Sequence, residues 1–372
     1  MILLIAAVFG LFPDSACAQS ADRADAAARD AVRRLEEALG GNAPPQAPAQ
    51  VIQGGAQPRW VNEPYGVYAR DRYIVAVGSG ANRSQAEAKA LAALTAVFGQ
   101  SIKSDFSIAT MYTEAVNRGV VNVSENTSIR DKITTAASMD NLVGAEIGNV
   151  WESGRGTVYA AAYMDRAKTV SIYTDMIIIN NRNIELLTTM GSAEKNTLDG
   201  YARFRLAAHI AGINANYAAV VSQAGGSTAS LNLRSADSLN LEAANIIRNI
   251  TVTVRVTNDR ANRVQDAFAR VLSSEGLRTR GNNPPYTLEV HLSASEAAFP
   301  GNSYIFCRIE ASANLIENST GASLLPFSFN DRLGHATYAN AEAAAFASAE
   351  KIIAERYPAA LREYLASLIP LN

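Results

Sequence analysis

Cysteine is nearly missing from this sequence: Cys17 and Cys307 are the two in 372 residues. Two thiols cannot build a disulfide framework or a cysteine-rich metal site. Histidine is almost as scarce, and His209, His291 and His335 are too few and too scattered for most zinc arrangements. No charge of one sign dominates, with 33 basic against 35 acidic side chains and a formal net charge of −2. Without a basic surplus there is no electrostatic footprint for a phosphate backbone, so nucleic acid is not an expected partner. The patterns GxxxxGK[ST], HExxH, GxSxG and the calcium-binding EF-hand loop are all missing, and their chemistries go with them. What remains is an ordinary folding composition, 48% hydrophobic, in a chain long enough for two domains at about 100–200 residues each.

The front of the chain carries an address. Residues 1–12, MILLIAAVFGLF, form an apolar run too short to cross a bilayer, which takes about 20 residues as a helix. Ala16-Cys17-Ala18 before Gln19 has the small-x-small pattern of a signal peptidase site, so residues 1–18 read as a secretory signal, although no Lys or Arg precedes the run. Cys17 permits a second reading, as the acylated first residue of a lipoprotein. Asp14 stands where such a signal normally carries an aliphatic residue. Either reading takes the protein out of the cytoplasm.

Residues 19–58 follow as a polar helix, 21–39, ended by Gly40-Gly41, and a Pro- and Gln-rich linker over 41–58. The ordered body is expected to begin near Arg59-Trp60. Tyr73 to Val77 reads as a short buried strand, and Gly78-Ser79-Gly80 turns it into a helix. Ser84 with Glu87 has the form of a capping box, followed by Leu91, Leu94, Val97 and Phe98 at helical spacing. Near Gln100 the period changes to alternation through Ile102, Phe106 and Ile108. LVGAEIGNVW and TVYAAAYM, joined by a Gly-bearing loop at 152–156, predict a hairpin over 142–164. One helix covers one face of such a sheet, so the other face is expected to need a partner domain or a second copy.

Residues 166–248 look mostly helical, with Ile172, Met176, Ile179, Leu206, Ile210 and Val220, and are read as a connector. The last part, 249–372, is clearer. ITVTVRV alternates as a half-buried strand should, Asn258 or Asp259 can cap the helix bearing Val264, Phe268, Val271 and Leu272, and three more strands follow. Cys307 alternates with Ile305 and Ile309, which reads as packing rather than redox chemistry. A long Ala-rich helix runs from about Asn340 to Tyr357, and Pro358 is expected to interrupt it. The fold class is α+β: a β-α-β-β sheet on a helix over 59–165, then a β-α-β-β-β-α two-layer sandwich over 249–372.

Candidate sites are few. Gly78-Ser79-Gly80 is similar to a dinucleotide loop, but Arg83 stands where the third Gly belongs, and a tight strand-to-helix turn explains it better. His335, with Asp331 and Arg332 nearby before a helix, is the most enzyme-like position, and a histidine there more often hydrogen-bonds a turn. No catalytic, cofactor-binding or metal-binding residue emerges. Trp60 and Trp151 are candidates for interaction or for anchoring the entry into the domain, and Cys17 for lipidation.

PRWVNEP, YIVAVGSG, the AEAKALAAL helix and LVGAEIGNVWESGRGTVYAAAYMDR, in that order over residues 58–168, resemble the Lpp-twenty lipoprotein family, which includes flagellar outer-membrane lipoproteins. The resemblance implies a non-enzymatic, self-assembling protein of the periplasm or the periplasmic face of the outer membrane, with a dodecin-like sheet wrapped on a helix. Its partners would be a second copy and other envelope proteins, with the outer membrane or peptidoglycan behind them. The element order of the second domain is similar to the amino-terminal domain of TolB, with no specific motif. The expected function is structural or assembly work in the cell envelope, and the alternative is a peptidoglycan- or small-ligand-binding module.

Overall fold

The computed structural model describes residues 15–40, 51–53, 55–98, 142–297 and 303–368. The apolar run at 1–12 and the alternating stretch around Ile102 to Ile108 lie outside the described residues. The chain divides into two compact units, Met1–Leu186 with Ile210–Arg234, and Leu187–His209 with Ser235–Asn372.

The first unit holds helix α1 (Ser15–Gly40), strands β1 (Val51–Gln53) and β2 (Tyr73–Gly80), helix α2 (Arg83–Val97), strands β3 (Glu146–Glu152) and β4 (Val158–Asp165), and most of helix α3 (Arg166–Thr188). Its sheet runs in the order β1-β3-β4-β2, parallel between β1 and β3 and antiparallel elsewhere. The β3–β4 hairpin is the predicted one. Its turn is closed by Gly156 N–H donating to the Ser153 carbonyl at 3.0 Å, and Gly156 takes φ +78°, a region open to glycine. The linker expected over 41–58 is interrupted, because Val51–Gln53 joins the sheet as an outer strand beside β3. Three residues inside a Pro- and Gly-rich stretch are too short to change its composition.

Alternation along β4 sorts the two faces. Val158, Ala160, Ala162 and Met164 meet the helices, and Tyr159, Ala161 and Tyr163 point the other way. Helix α2 is capped by Asn82, whose side chain accepts from Gln85 N–H at 2.9 Å, so the helix starts one residue before Ser84 and the expected capping box is not used. Ala86, Ala90, Leu94 and Phe98 form the buried row at steps of four. Leu35, Ile172, Tyr173, Met176, Ile177, Val220 and Val221 complete the same core. The segment read as a connector is therefore shared out. Residues 166–186 and 210–234 belong with the first unit and 187–209 with the second, and the division falls inside α3 and inside helix α5 (Leu198–Gln223).

The second unit contains α4 (Ser192–Lys195), the first part of α5, α6 (Ala236–Ile247), β5 (Val252–Thr257), α7 (Arg263–Ser274), β6 (Tyr286–Ala297), β7 (Ile305–Glu317), β8 (Ser323–His335) and α8 (Tyr338–Ser367). The strands lie in chain order, β5-β6-β7-β8, with β5 and β6 parallel. This is the predicted β-α-β-β-β-α order. Helices α7 and α8 cover one face, where Phe268, Tyr357 and Phe327 meet edge to face with ring centroids 4.9 and 5.1 Å from Tyr357. Asp259 accepts from Gln265 N–H at 2.8 Å near the start of α7, reaching past a short 3-10 turn at Arg260–Asn262. Pro358 does not end α8. The buried row Ala345, Ala349, Ile353, Tyr357, Leu361, Leu365 continues through it, and packing on the sheet outweighs the lost N–H donor.

Candidate functional site

The second face of the first sheet is not bare. Residues 59–72 fold back over it through two 3-10 turns, Arg59–Val61 and Pro64–Gly66, and bury Trp60 and Tyr68 against Val75, Trp151 and Ala161. This corrects the expectation that a partner must cover that face. Trp60 and Trp151 are 3% and 5% exposed, so the two candidate interaction residues share one buried cluster in which Trp60 anchors the entry into the domain. Trp151 stacks on Tyr159 with centroids 5.5 Å apart, and Tyr68, Tyr73 and Tyr163 form a neighbouring trio at 5.5 to 6.0 Å.

Polar groups lock this seam. The Tyr68 hydroxyl donates to Asn149 Oδ1 at 3.0 Å and accepts from Asn149 N–H at 3.1 Å, at the place where the β3–β4 register slips between Ile147 and Val150. Gly148 makes room for it, since a Cβ there would lie 2.2 Å from the Tyr68 oxygen. Burial pushes the Tyr68 phenol up, so it stays a neutral donor. Beside it, Tyr163 OH donates to Glu146 Oε2 at 2.7 Å and Lys168 Nζ to Oε1 at 3.0 Å. Burial raises Asp165, but the Lys168 N–H and the Arg72 guanidinium outweigh it and hold the carboxyl below its ordinary value. Glu146 and Asp165 are thus engaged by cations and donors rather than poised as bases, and the arrangement is suited to fixing a surface loop on a sheet.

The enzyme-like positions do not assemble. Asp331 and Arg332 are successive residues of β8 and so project to opposite faces. Asp331 accepts from Ser348 OH, and the Arg332 guanidinium lies 5.9 Å from the Phe306 ring centroid. His335 is exposed at the end of the strand. His291 is exposed on the sheet face opposite Val290 and Leu292, where Nδ1 lies 3.4 Å from Thr257 Oγ1. His209 has its Nε2 buried without a hydrogen-bond partner, and burial pushes its imidazole down. Cys307 is a buried thiol whose pKa burial raises, packed beside Ile309 as its alternation predicts. Cys17 falls in the first turn of α1, and its side chain is outside the described residues. Among the described residues no three His, Cys, Asp or Glu side chains gather where an ion could bind, and no helix is long and apolar enough to cross a membrane.

Sequence reasoning missed Tyr68, Asn149, Glu146 and Lys168. Gly148 inside a strand was the available signal, because a strand glycine often marks a bulge or a close approach.

No curated protein sequence matches the chain. Among solved structures it is similar to the secreted protein HP1454 of Helicobacter pylori, at 12% identity over 77% of this chain and 98% of that one, with a TM-score of 0.37. It is also similar to a minor lipoprotein of Acinetobacter baumannii, at 13% identity over 32% and 95% of the two chains and a TM-score of 0.24. Residues 58–165, which hold the Trp60 entry, the Gly78-Ser79-Gly80 turn, α2 and the β3–β4 hairpin, match the LPP20 lipoprotein family.

Proposed function

We propose that this chain is an exported cell-envelope protein of lipoprotein type that acts without catalysis, as a structural or assembly component in the periplasm or on the periplasmic face of the outer membrane. The observation that carries the reading is the LPP20 match over 58–165, on a unit whose motif residues are spent on closing both faces of its own sheet. Its working surfaces are then its exterior, including β2 and β8, outer strands of their sheets that pair on one side among the described residues. The partners are a second copy and other envelope proteins.

Cell fractionation with intact-mass measurement, followed by light scattering of the purified protein, tests this. Membrane or periplasmic recovery and a concentration-dependent oligomer are expected. A cytoplasmic monomer that turns over a metabolite would refute it.

A second reading, binding of peptidoglycan or a small ligand, draws on the His291 face of the β5–β8 sheet, where Thr257, His291, Ser312 and Ser328 line up in one register row, all exposed. Pull-down by purified cell wall without oligomers in solution favours it.

A further inference from the structure

Helix α1 has few large apolar side chains, yet it is docked on the first unit. Ala31 and Leu35 are fully buried and Val32 and Ala38 pack partly against the same core. Among its described side chains the rest of the hold is ionic. Arg34 grips Asp175 of α3 from two nitrogens, Nε at 3.0 Å and Nη2 at 2.6 Å, and also meets Asp30 on its own helix. Arg182 of α3 donates to Asp25 at 2.5 Å and to Glu185 at 2.8 Å. The pairs 34–175 and 25–182 run the two helices antiparallel. The Asp175 side chain is 4% exposed beneath Arg34, whereas Arg33 and Glu37 on the far side of α1 are open to solvent.

We infer that α1 is an ion-pair-clasped strap that undocks from α3 as a unit while the sheet and α2 stay folded. The reason is an asymmetry in cost. A carboxylate buried without its partner is strongly unfavourable, and lifting α1 returns Asp175 to water without disturbing the sheet. The strap sets how far the body stands from the amino-terminal end that export leaves. With Cys17 as the acylated end, residues 17 to 25 span about 12 Å of helix before the first tie when closed, and residues 17 to 40 become a spacer of about 35 Å when open, at ~1.5 Å per residue. The spacer role rests on the envelope reading, and the strap itself does not.

Hydrogen exchange of the full-length secreted protein, read by mass spectrometry, tests the strap. Arg34→Met keeps the stem and removes the charge, so amides 26–38 should lose protection at least tenfold while β4 and α2 keep theirs. The pair Arg34→Leu with Asp175→Leu removes both charges and should keep α1 protected. Unchanged protection in Arg34→Met, or loss in step with β4, overturns the strap. The intact mass of the same sample reports separately on export and acylation, so the two readings fail by different measurements.

Discussion

Replacing Gly78 by Ala should destabilise the first unit more than any other single methyl addition in its sheet. A Cβ at position 78 would lie 2.2 Å from Ala90 N, 2.6 Å from Ala86 O and 2.6 Å from Lys89 C. All three are backbone atoms of α2, so no side chain can swing away, and the helix must lift by more than 1 Å to move Ala90 N from 2.2 Å to the 3.4 Å of ordinary contact. Overpacking of this kind costs roughly 1–3 kcal/mol, and a helix backbone as the obstacle places Gly78→Ala near the top of that range. The lost freedom of the unfolded glycine returns about 0.4–1 kcal/mol, leaving a net loss of about 2–2.6 kcal/mol. Trp60 and Trp151, the two tryptophans of the chain, both sit in the first unit, so their fluorescence reports this unit and not the other. With a urea slope of ~2 kcal/mol/M the midpoint should fall by about 1–1.3 M. Gly154→Ala is the control, since a Cβ there meets nothing within 4 Å. A midpoint for Gly78→Ala within about 0.3 M of the parent would show that α2 is not seated on this glycine and that the argument from close approach is wrong.

Tyr68→Phe removes both hydrogen bonds to Asn149 and leaves that N–H unmet, for a loss of about 2 kcal/mol in the same fluorescence assay. Gly148→Ala collides with the Tyr68 hydroxyl, so the double variant Tyr68→Phe with Gly148→Ala should cost at least ~1 kcal/mol less than the sum of the singles. His209→Leu removes a buried, unpartnered Nε2 and should stabilise the chain by roughly 1 kcal/mol in thermal melts followed by circular dichroism. Because burial holds the folded imidazole below its ordinary 6.5, the unfolded chain takes up a proton first. Stability from this site is complete above about pH 6.5 and falls as the pH drops below it, and His209→Leu should flatten that slope between pH 7 and pH 5. Pro358→Ala restores a donor in mid-helix and should raise the guanidinium midpoint of the second unit, read by circular dichroism, by an amount equivalent to ~1 kcal/mol or more.

Local periodicity made much of this fold readable. The β3–β4 hairpin, the turn from β2 into α2 and the whole order from β5 to α8 follow from alternation and helical spacing over short windows. Features decided by contacts between distant residues were not readable. Ser84 with Glu87 satisfied the capping pattern, yet Asn82 makes the bond, because the chain leaves β2 at Gly80 with Asn82 already placed to cap. Pro358 reads as a stop until Leu361 and Leu365 are seen to extend the row that packs on the sheet. Helix α1 looked like a solvated polar helix because its partners, Asp175 and Arg182, lie 141 and 157 residues further along. The Tyr68 seam was hidden for the same reason, 81 residues separating the phenol from Asn149.

The same contacts decide where function can reside. The residues that carry the family likeness in 58–165 are those a closed two-faced sheet requires: Trp60 and Trp151 fill one side, and Gly78 admits α2 on the other. Trp60 and Trp151 are buried and Gly78 is pressed against backbone, so these three are not available to a partner while the unit is folded, whereas Asn62 and Glu63 of the same entry motif are exposed. A bare sheet face had been the simplest physical cause for self-association, and residues 59–72 already occupy it. Among the described residues, the surfaces those motifs leave outside for association are the strand edges at β1 and β2 and the helical surface. On the helical side α1 is tied to α3 by two ion pairs and seats Ala31 and Leu35 in the core. A partner that competes for Asp175 and Arg182 would displace α1 at the cost of two ion pairs and the burial of Ala31 and Leu35, with Val32 and Ala38 beside them, less than opening either face of the sheet.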